Sequence, residues 1–297
     1  MSSSAIEEKR DRLLRILQGY ESVVVAFSAG VDSTVLAKAA ALACGDNAVA
    51  VTALSPSLAS GELDQARELA KLIGIRHEIV KTDEFKNPAY LANPANRCYF
   101  CKTELYGHLG PLAEKMGIKV VVNGANLDDQ GDYRPGMVAA AENSVSSPLV
   151  DAEFSKAHVR ELAKLWGLPV WDKPATPCLS SRIAYGVEVT PERVSMIDAA
   201  ERFLSQLTGV TQLRVRLEYQ DLARVEVPLG QFAAITEPAA ASAIVTKLLS
   251  LGFRNVTLDL QGFRSGSMNS VLRDVPNLVP LSNFSQEDWQ PAELEQG

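Results

Sequence analysis

The sequence predicts an α/β fold in which a doubly wound parallel sheet is followed by a smaller C-terminal α+β domain. Over about the first 170 residues, short apolar runs alternate with alanine-rich or amphipathic stretches. This is the pattern of parallel strands whose two faces are covered by helices. After Thr190, two runs instead alternate apolar with charged residues, as half-buried antiparallel strands do. The length of 297 residues is enough for about two domains.

The predicted elements of the first domain begin with an amphipathic helix over 8–18. Short apolar runs predict five strands, at 22–27, 48–52, 77–80, 119–124 and 148–150. Leucine and alanine at helical spacing predict helices over 33–44, 61–73 and 156–166. Strands that alternate with helices in this order place a ligand site at the carboxyl ends of the strands.

The second domain follows a proline-containing loop over 171–190. The predicted elements there are a helix over about 191–207, strands at 213–217 and 223–227, a helix near 238–251 and a strand near 255–260. We therefore expect domains over 1–180 and 181–280. The tail over 281–297 is polar and acidic and is expected to be disordered.

The composition excludes several classes of protein. With 46% hydrophobic and 22% charged residues, the chain has the proportions of an ordinary globular protein. A net charge of −7 argues against non-specific binding of nucleic acid or anionic membranes. No apolar run reaches the roughly 18 residues that a membrane span needs, and the start lacks the apolar core of a secretory signal. We expect a cytoplasmic protein whose four cysteines do not form a disulfide scaffold.

The segment 28–33, Ser-Ala-Gly-Val-Asp-Ser, lies between the first predicted strand and the helix after it, and we refer to it as the phosphate loop. Small residues let the backbone approach a ligand closely, and a helix start offers unpaired N–H groups with partial positive charge. The segment therefore predicts an anion site. The pattern G-x-x-x-x-G-K-[ST] is absent, which excludes a Walker-type loop. The alternative interpretation is a capped helix without a ligand.

The phosphate loop, preceded by the run 23–27, resembles the SGGxDS loop of the ATP pyrophosphatases, the PP-loop group. The resemblance implies that ATP adenylylates a substrate oxygen and that a nucleophile then displaces AMP. Ala29 stands where that pattern has glycine, which is acceptable if this residue has a negative φ. The resemblance also implies that Asp32 helps to hold Mg²⁺. The implied contacts to ATP or its pyrophosphate are Ser28, Gly30, Asp32, Ser33, Ser55 and Gly124.

Three cysteines form a candidate metal or redox site. Cys98 and Cys101 form a C-x-x-C pair in a predicted loop, and Cys178 follows much later in the chain. Such a pair lets two thiolates reach one metal centre, and a distant third completes a site with one open position, on zinc or on an iron–sulfur cubane. The alternative is a redox pair or a structural zinc half-site with Cys178 unrelated.

Two clusters of polar residues are candidates for binding substrate, ATP ribose or Mg²⁺. The first follows the fourth predicted strand, where a dense aspartate set is typical of a ligand site and also of a solvated turn. The second lies mainly on two strands, where arginines on one face fit a phosphate and a carboxylate, but also an exposed face with a cross-strand ion pair. The candidates are Asn126, Asp128, Asp129, Asp132 and Arg134 in the first group, and Arg182, Arg214, Arg216, Arg224 and Glu226 in the second.

Six motifs in order narrow the resemblance. They are SAGVDS, RCYFCK, GANLDDQGDYRPG, WDKPATPCLSSRIAYG, RVRLEYQDLARVEV and LDLQGFRSGSMN. Together they resemble the LarE family of ATP-dependent sulfur transferases over nearly the whole chain. The resemblance implies that a carboxylate of pyridinium-3,5-biscarboxylic acid mononucleotide is adenylylated and converted to a thiocarboxylate. This product is a precursor of the nickel-pincer nucleotide cofactor of lactate racemase.

The resemblance also implies a role for the three cysteines. In one branch of the family, the cysteine that corresponds to Cys178 gives up its own sulfur and becomes dehydroalanine. In another branch, three cysteines hold a [4Fe-4S] cluster whose open iron carries an extra sulfide. Because this chain has the additional pair in RCYFCK, we expect the cluster branch. Cys98, Cys101 and Cys178 are then the cluster ligands, and Cys178 is the catalytic cysteine.

Other PP-loop activities remain as competing hypotheses. Thiolation of tRNA also uses three cysteines and a cluster, and ammonia-dependent amidating synthetases use the same kind of loop. The acidic chain has no evident basic extension for tRNA, so we expect a small-molecule substrate. A nucleotide-binding regulator without turnover is a third hypothesis, which Ala29 alone suggests. We also expect a homo-oligomer, as in other family members, and nickel-inserting and nickel-using proteins downstream.

Overall fold

The computed structural model of the chain describes residues 3–130, 135–264 and 266–269. The chain divides into two compact units, and each is described by itself. The first unit takes the chain up to Ser55 and the ranges Ser60–Glu84 and Asn96–Thr176, and the second takes Pro56–Ala59, Phe85–Ala95 and the chain from Pro177 onward. Two short internal segments therefore belong to the second unit although they interrupt the first in sequence. The tail predicted to be disordered, 281–297, lies outside the described residues.

The first unit is built from strands and helices that alternate along the chain. Its strands are β1 (Val23–Ala26), β2 (Ala48–Leu54), β3 (Arg76–Lys81) and β4 (Val120–Val122). Its helices are α1 (Ser3–Tyr20), α2 (Val31–Cys44), α3 (Glu62–Ile73), α5 (Arg97–Lys115), α6 (Pro135–Glu142), α7 (Pro148–Asp151) and α8 (Lys156–Leu165). The short helix α4 (Pro88–Leu91), which comes between α3 and α5 in the chain, belongs to the second unit.

The strands of the first unit form a parallel sheet in the order β3-β2-β1-β4. Val23 and Val25 point to one face, where they pack with residues of α1, α2 and α8. Val24 points to the opposite face and packs with residues of α5 and α6. Because both faces are buried, these strands are apolar throughout rather than alternating. The predicted doubly wound parallel sheet is confirmed.

The strand order places two loops at one edge of this sheet. The chain runs outward from β1 to β2 and β3, and then returns to place β4 on the other side of β1. Connections that leave two such neighbouring strands in opposite directions open a crevice at their carboxyl ends, which is the usual ligand site of doubly wound sheets. The phosphate loop follows β1, and the segment 123–129 follows β4, so both belong to this edge.

The second unit contains a mixed sheet of β5 (Arg214–Glu218), β6 (Leu222–Glu226) and β7 (Asn255–Leu258). β5 and β6 are antiparallel, as predicted, and β7 joins β6 in parallel. Its longer helices are α9 (Pro191–Thr208), α10 (Phe232–Thr236) and α11 (Pro238–Leu251). Among the described helices, none taken singly is long and apolar enough to cross a membrane. The bent pair Leu229–Thr236 and Pro238–Leu251 passes that test together, by length and composition only.

Two predicted elements of the first unit are wrong. The run 148–150 is not a strand but part of α7, because Pro148 occupies the first turn of a helix, where its missing N–H costs nothing. Strand-like pairing occurs slightly earlier, where Ser146 forms a single bridge to Val122. The C-x-x-C pair is not in a loop but in the first turns of α5, whose residues Leu105 and Leu109 are buried at helical spacing.

Candidate active site

The phosphate loop is closed by hydrogen bonds between its own ends. The Ser33 hydroxyl donates to the carbonyl of Gly30 over 3.1 Å and lies 3.1 Å from the Ser28 hydroxyl. The Ser28 N–H donates to Ser33 Oγ over 3.3 Å, and the Thr34 N–H donates to the carbonyl of Gly30 over 2.9 Å. Gly30 is the N-cap of α2. The loop therefore wraps around the start of a long helix, where backbone N–H groups and the helix dipole favour an anion.

Ala29 was expected to be acceptable in place of glycine if its φ were negative, and this condition is not met. Its φ is +57°, in the left-handed region that favours glycine, rather than negative. The strain is tolerated because the side chain is fully buried, where its methyl group joins the apolar core around β1. A methyl group in this position makes the bend of the loop more rigid than glycine would, at a cost in backbone strain.

Gly124 brings the second loop against the phosphate loop. A Cβ at this position would lie 2.9 Å from the backbone nitrogen of Ser33 and 3.1 Å from the carbonyl carbon of Asp32. Both neighbours are backbone atoms at the start of α2, so they have little freedom to move away. The absence of a side chain is thus what lets the chain after β4 touch the phosphate loop, next to which the sequence predicts that ATP binds.

Asp32 holds a central place in the site of the first unit. The Asn126 amide, which is buried, donates to Asp32 Oδ1 over 3.1 Å, and the ammonium group of Lys156 forms an ion pair with Oδ2. Lys156 is the first residue of α8, and Ser155 caps that helix by accepting from the N–H of His158. An acidic and a basic group therefore stand together beside a helix start, which suits the binding of a metal–phosphate complex.

The other polar residues after β4 shape the loop. Asp129 accepts a hydrogen bond from the N–H of Asn126 over 2.9 Å, and Asp128 accepts one from the N–H of Lys156 over 2.9 Å. These carboxylates hold Asn126 and Lys156 in place, since each fixes a backbone group next to the side chain that meets Asp32. Asp132 and Arg134 lie outside the described residues. Ser55 directly follows β2 and is partly exposed.

The three candidate cysteine ligands fall in different units. Cys98 and Cys101 lie three residues apart on α5, in the first unit, so their side chains leave the same side of the helix. Cys98 is exposed and Cys101 is partly exposed, whereas Cys178 is exposed and belongs to the second unit. Within the described parts of the chain, no group of three or more His, Cys, Asp or Glu is arranged to hold a metal ion. The structure thus shows two thiols on one side of α5, three residues apart.

Arg182 forms hydrogen bonds with the backbone at Cys178. Its Nη1 donates to the carbonyls of Pro177 and Cys178, the latter over 3.0 Å, and its Nε donates to Glu201 over 3.1 Å. The Arg182 side chain is only 3% exposed, so its charge is held inside the unit. Arg182 therefore fixes the segment that carries Cys178, a role beyond the anion contact that the sequence predicted.

Arg216, Arg224 and Glu226 form one ionic network on a face of the second sheet. Glu226 is fully buried and accepts from Arg216 over 2.9 Å and from Arg224 over 2.5 Å. Arg224 also donates to Glu218 and to Asp259, each over 2.7 Å. Arg224 thus faces three carboxylates. The pairs of Arg216 with Glu226 and of Arg224 with Glu218 join the two strands, as one interpretation of the sequence expected, but Glu226 is buried and not on an exposed face.

Arg214 differs from its neighbours in its electrostatic surroundings. Burial and the nearby charges of Arg182 and Arg216 lower the pKa of Arg214 to about 10, against the opposing effect of Glu201 and Glu226. The guanidinium donates to the carbonyl of Leu213 over 2.6 Å and lies over the ring of Phe263. Burial is the largest of these effects, and a guanidinium that has lost its water is stabilised by an anion that reaches it.

Two residues of these sites were not among the sequence candidates. Lys156 lies 124 positions after Asp32, and the sequence showed it only as part of a predicted helix. Glu201 on α9 accepts from Arg182 and also from the N–H of Val215 over 3.0 Å. A lysine at the first position of a helix is unusual, because a cation opposes the helix dipole there. That signal could have marked Lys156 in advance.

The fold and the phosphate loop together define a class, the PP-loop ATP pyrophosphatases, and the comparisons with known proteins agree. No protein-family model matches the chain. The chain is 25% identical to a subunit of the glutamine-hydrolysing GMP synthase of Methanoculleus marisnigri, over 66% of this chain and 67% of that protein. It is 37% identical to the pyridinium-3,5-bisthiocarboxylic acid mononucleotide synthase of Lactiplantibacillus plantarum, over 91% of this chain and 96% of that protein. An uncharacterized protein of Synechocystis is 48% identical over 90% of this chain and 99% of its own length.

The similarity to the L. plantarum synthase covers nearly all of both proteins. The chain therefore belongs to the LarE family of ATP-dependent sulfur transferases. The predicted family is confirmed, and the order of the six motifs is what identified it from the sequence.

Proposed function

We propose that this protein uses ATP to activate a carboxylate of pyridinium-3,5-biscarboxylic acid mononucleotide and replaces one of its oxygens by sulfur, for synthesis of the nickel-pincer nucleotide cofactor. The observation that carries the proposal is the similarity to the L. plantarum synthase over 91% of the chain. The contacts in each unit support the individual steps. The thiocarboxylate product then passes to the proteins that insert and use nickel.

The first step is the attack of a substrate carboxylate on the α-phosphate of ATP, with release of pyrophosphate. The backbone and hydroxyl groups of Ser28, Gly30 and Ser33 would bind the pyrophosphate part, and their position at the start of α2 supports this role. Asp32 would hold Mg²⁺, which would supply positive charge to the phosphates. Lys156, which forms an ion pair with Asp32, would supply its ammonium group to stabilise the phosphate oxygens once Asp32 is engaged in this way.

Substrate binding requires cations for the phosphate and for the second carboxylate of the mononucleotide. Arg214 is our candidate for this contact, because burial and the charges of Arg182 and Arg216 disfavour its cation, which an incoming anion would stabilise. Arg224 is a positioning residue instead, since Glu218, Glu226 and Asp259 engage its guanidinium. The substrate role expected for Arg224 stays a prediction, and we propose that Arg224 also fixes the sheet that carries Arg214.

The second step transfers sulfur to the acyl-adenylate. A sulfur nucleophile attacks the activated carbonyl carbon, a carbon–sulfur bond forms, and the bond to AMP breaks, so that AMP leaves with the former carboxylate oxygen. We propose Cys178, which is exposed, as the residue at which this sulfur is supplied. If the cysteine itself is the donor, loss of its Cα proton and of the Cβ–sulfur bond leaves dehydroalanine.

We further propose that Cys98, Cys101 and Cys178 bind a [4Fe-4S] cluster. The spacing of Cys98 and Cys101 on one side of α5 supports two of these ligands. Such a cluster supplies an open iron that can carry the sulfide to be transferred. Iron and acid-labile sulfide should be measured on protein prepared without oxygen. About four irons per chain, lost on changing any of the three cysteines, would support the cluster, whereas iron-free active protein that acquires dehydroalanine at position 178 would refute it.

The proposed function is tested with purified protein, ATP, Mg²⁺ and the biscarboxylate mononucleotide. Pyrophosphate release reports adenylylation, and mass spectrometry of the nucleotide reports the thiocarboxylate. Cys178→Ala should retain pyrophosphate release and lose the thiocarboxylate, while Asp32→Asn should lose both. Cys44→Ala is the matched control, because Cys44 lies in α2 with its thiol donating to the carbonyl of Leu17. Full thiocarboxylate formation by Cys178→Ala would contradict the role of Cys178.

A further inference from the structure

The segment that carries Cys178 is held by two pieces of chain that interrupt the first unit in sequence. These are Pro56–Ala59 and Phe85–Ala95, which belong to the second unit together with Cys178. We propose that Tyr90, in the second of these pieces, is a positioning residue for Cys178. The inference rests on the proposed role of Cys178 in sulfur transfer and adds the device that orients it.

Tyr90 bonds directly to the turn that follows Cys178. Its phenol oxygen lies 2.7 Å from the hydroxyl of Ser180, two residues beyond the cysteine. Tyr90 is 1% exposed and Ser180 is fully buried, so this hydrogen bond is shielded from water. The ring of Phe85 packs edge-on against the ring of Tyr90, with centroids 5.2 Å apart, and fixes its orientation. A buried hydroxyl pair of this kind is costly to break, because neither group finds water in exchange.

Asn93 holds the far end of the same segment. Its amide nitrogen donates to the carbonyl of Ala184 over 2.8 Å and to that of Val187 over 2.9 Å. Its own carbonyl accepts from the N–H of Gly186 over 3.0 Å. Asn93 is fully buried and has a φ of +53°, a conformation that asparagine tolerates better than most residues. The segment 85–95 is therefore hydrogen-bonded to the chain after Cys178 at two separate points, through Tyr90 and through Asn93.

The nearest backbone groups on either side of Cys178 are also fixed. The N–H of Leu179 donates to the carbonyl of Ser57 over 2.8 Å, and Arg182 donates to the carbonyl of Cys178 over 3.0 Å. The side chain of Cys178 nevertheless remains exposed. A reactive group on an anchored backbone reaches its partner with little loss of freedom, and a misplacement of about 1 Å can cost on the order of 100-fold in rate. The arrangement thus fits an exposed sulfur whose orientation is set by the buried hydrogen bonds of its own backbone segment.

The test compares Tyr90→Phe with Tyr219→Phe. Tyr219 also donates a phenol hydrogen bond of 2.7 Å within the second unit, to the carbonyl of Tyr185, and so controls for the loss of one hydroxyl. The first readout is the alkylation rate of Cys178 by iodoacetamide in the metal-free protein, followed on the peptide that contains it. The second is kcat for thiocarboxylate formation compared with KM for ATP. Near-ultraviolet circular dichroism verifies that each variant is folded.

We expect Tyr90→Phe to raise the alkylation rate at least about threefold and to lower kcat about tenfold, with KM for ATP within about twofold of wild type. Tyr219→Phe should leave all three unchanged. Ser180→Ala removes the same bond from its other side, and the double variant should be no worse than the more affected single variant. Ser180→Ala also decides the question if Tyr90→Phe does not fold.

Wild-type alkylation and wild-type kcat in Tyr90→Phe and Ser180→Ala would overturn the inference. So would equal effects of Tyr90→Phe and Tyr219→Phe, since these would reflect a general loosening of the unit. The alkylation measurement does not depend on catalysis. If Cys178→Ala still forms thiocarboxylate, the assignment of Cys178 under the proposed function fails, and the alkylation rates still show whether Tyr90 holds the segment.

Discussion

Replacement of Ala29 by glycine tests whether the phosphate loop stores strain. An alanine in the left-handed region costs roughly 1–2 kcal/mol, and Ala29 has a φ of +57°. Ala29→Gly recovers this free energy, but it loses about 0.8 kcal/mol of methyl burial and roughly 0.5–1 kcal/mol of chain entropy. These contributions nearly cancel. We therefore expect the free energy of unfolding to change by no more than about 0.5 kcal/mol.

The matched control is Ala39→Gly. Ala39 lies in the middle of α2 and, like Ala29, is fully buried, but it has no positive φ. Its replacement loses the same methyl burial and about 1 kcal/mol of helix propensity, with no strain to recover. We expect it to cost about 2 kcal/mol, and so to exceed Ala29→Gly by about 1.5 kcal/mol.

Urea denaturation followed by circular dichroism measures both changes, with the slope of the transition compared to confirm that the unfolded states match. Equal losses at the two positions would refute the reasoning, because they would show that Ala29 carries no left-handed strain in solution. Pyrophosphate release by Ala29→Gly should stay within about threefold of wild type, since a glycine can adopt the same backbone conformation.

Three further predictions concern the first unit. Gly124→Ala places a Cβ 2.9 Å from a backbone nitrogen of the phosphate loop, so KM for ATP in the pyrophosphate assay should rise at least about tenfold, whereas Gly107→Ala, with no atom within 4 Å, should not change it. Burial and the charge of Arg67 lower the pKa of His77 from 6.5. The neutral ring therefore contributes its full stabilisation above pH 6.5, and this contribution declines as the pH falls below that value. The urea midpoint of the wild-type protein should fall accordingly at low pH, and this part of the fall should be absent in His77→Gln. Lys156→Met should lower kcat for pyrophosphate release by about 100-fold, and a variant with wild-type kcat would contradict the proposed contact of its ammonium group with phosphate.

The elements that could be predicted from sequence are those whose signal is local and repeated. The strand at 23–26 and the helix from 31 to 44 are predictable because apolar residues recur at the right period and small residues join them. The run 148–150 resembles a strand because three apolar residues are too few to separate a strand from a helical turn. Pro148 is the residue that favours the helix.

The parts of the site that could not be predicted depend on contacts between distant residues. Asp32 and Lys156 meet only because α2 and α8 pack on the same face of the sheet. The conformation of Ala29 follows from the path of the chain out of β1 and has no signal in its own side chain, since alanine occurs in almost any conformation. The sequence marks the phosphate loop as a candidate site, whereas Lys156, the partner of its Asp32 carboxylate, becomes evident only from the fold.

The arginines of the second unit show why residue type alone did not separate binding from structure. All four were expected to bind anions, but a guanidinium that already faces buried carboxylates gains little from a further anion, because the pair is already neutral. Arg216 and Arg224 are in that state through Glu226, whereas the charge of Arg214 is opposed by its neighbours. An anion bound at Arg214, as we propose for the substrate, would therefore relieve a repulsion as well as add an attraction.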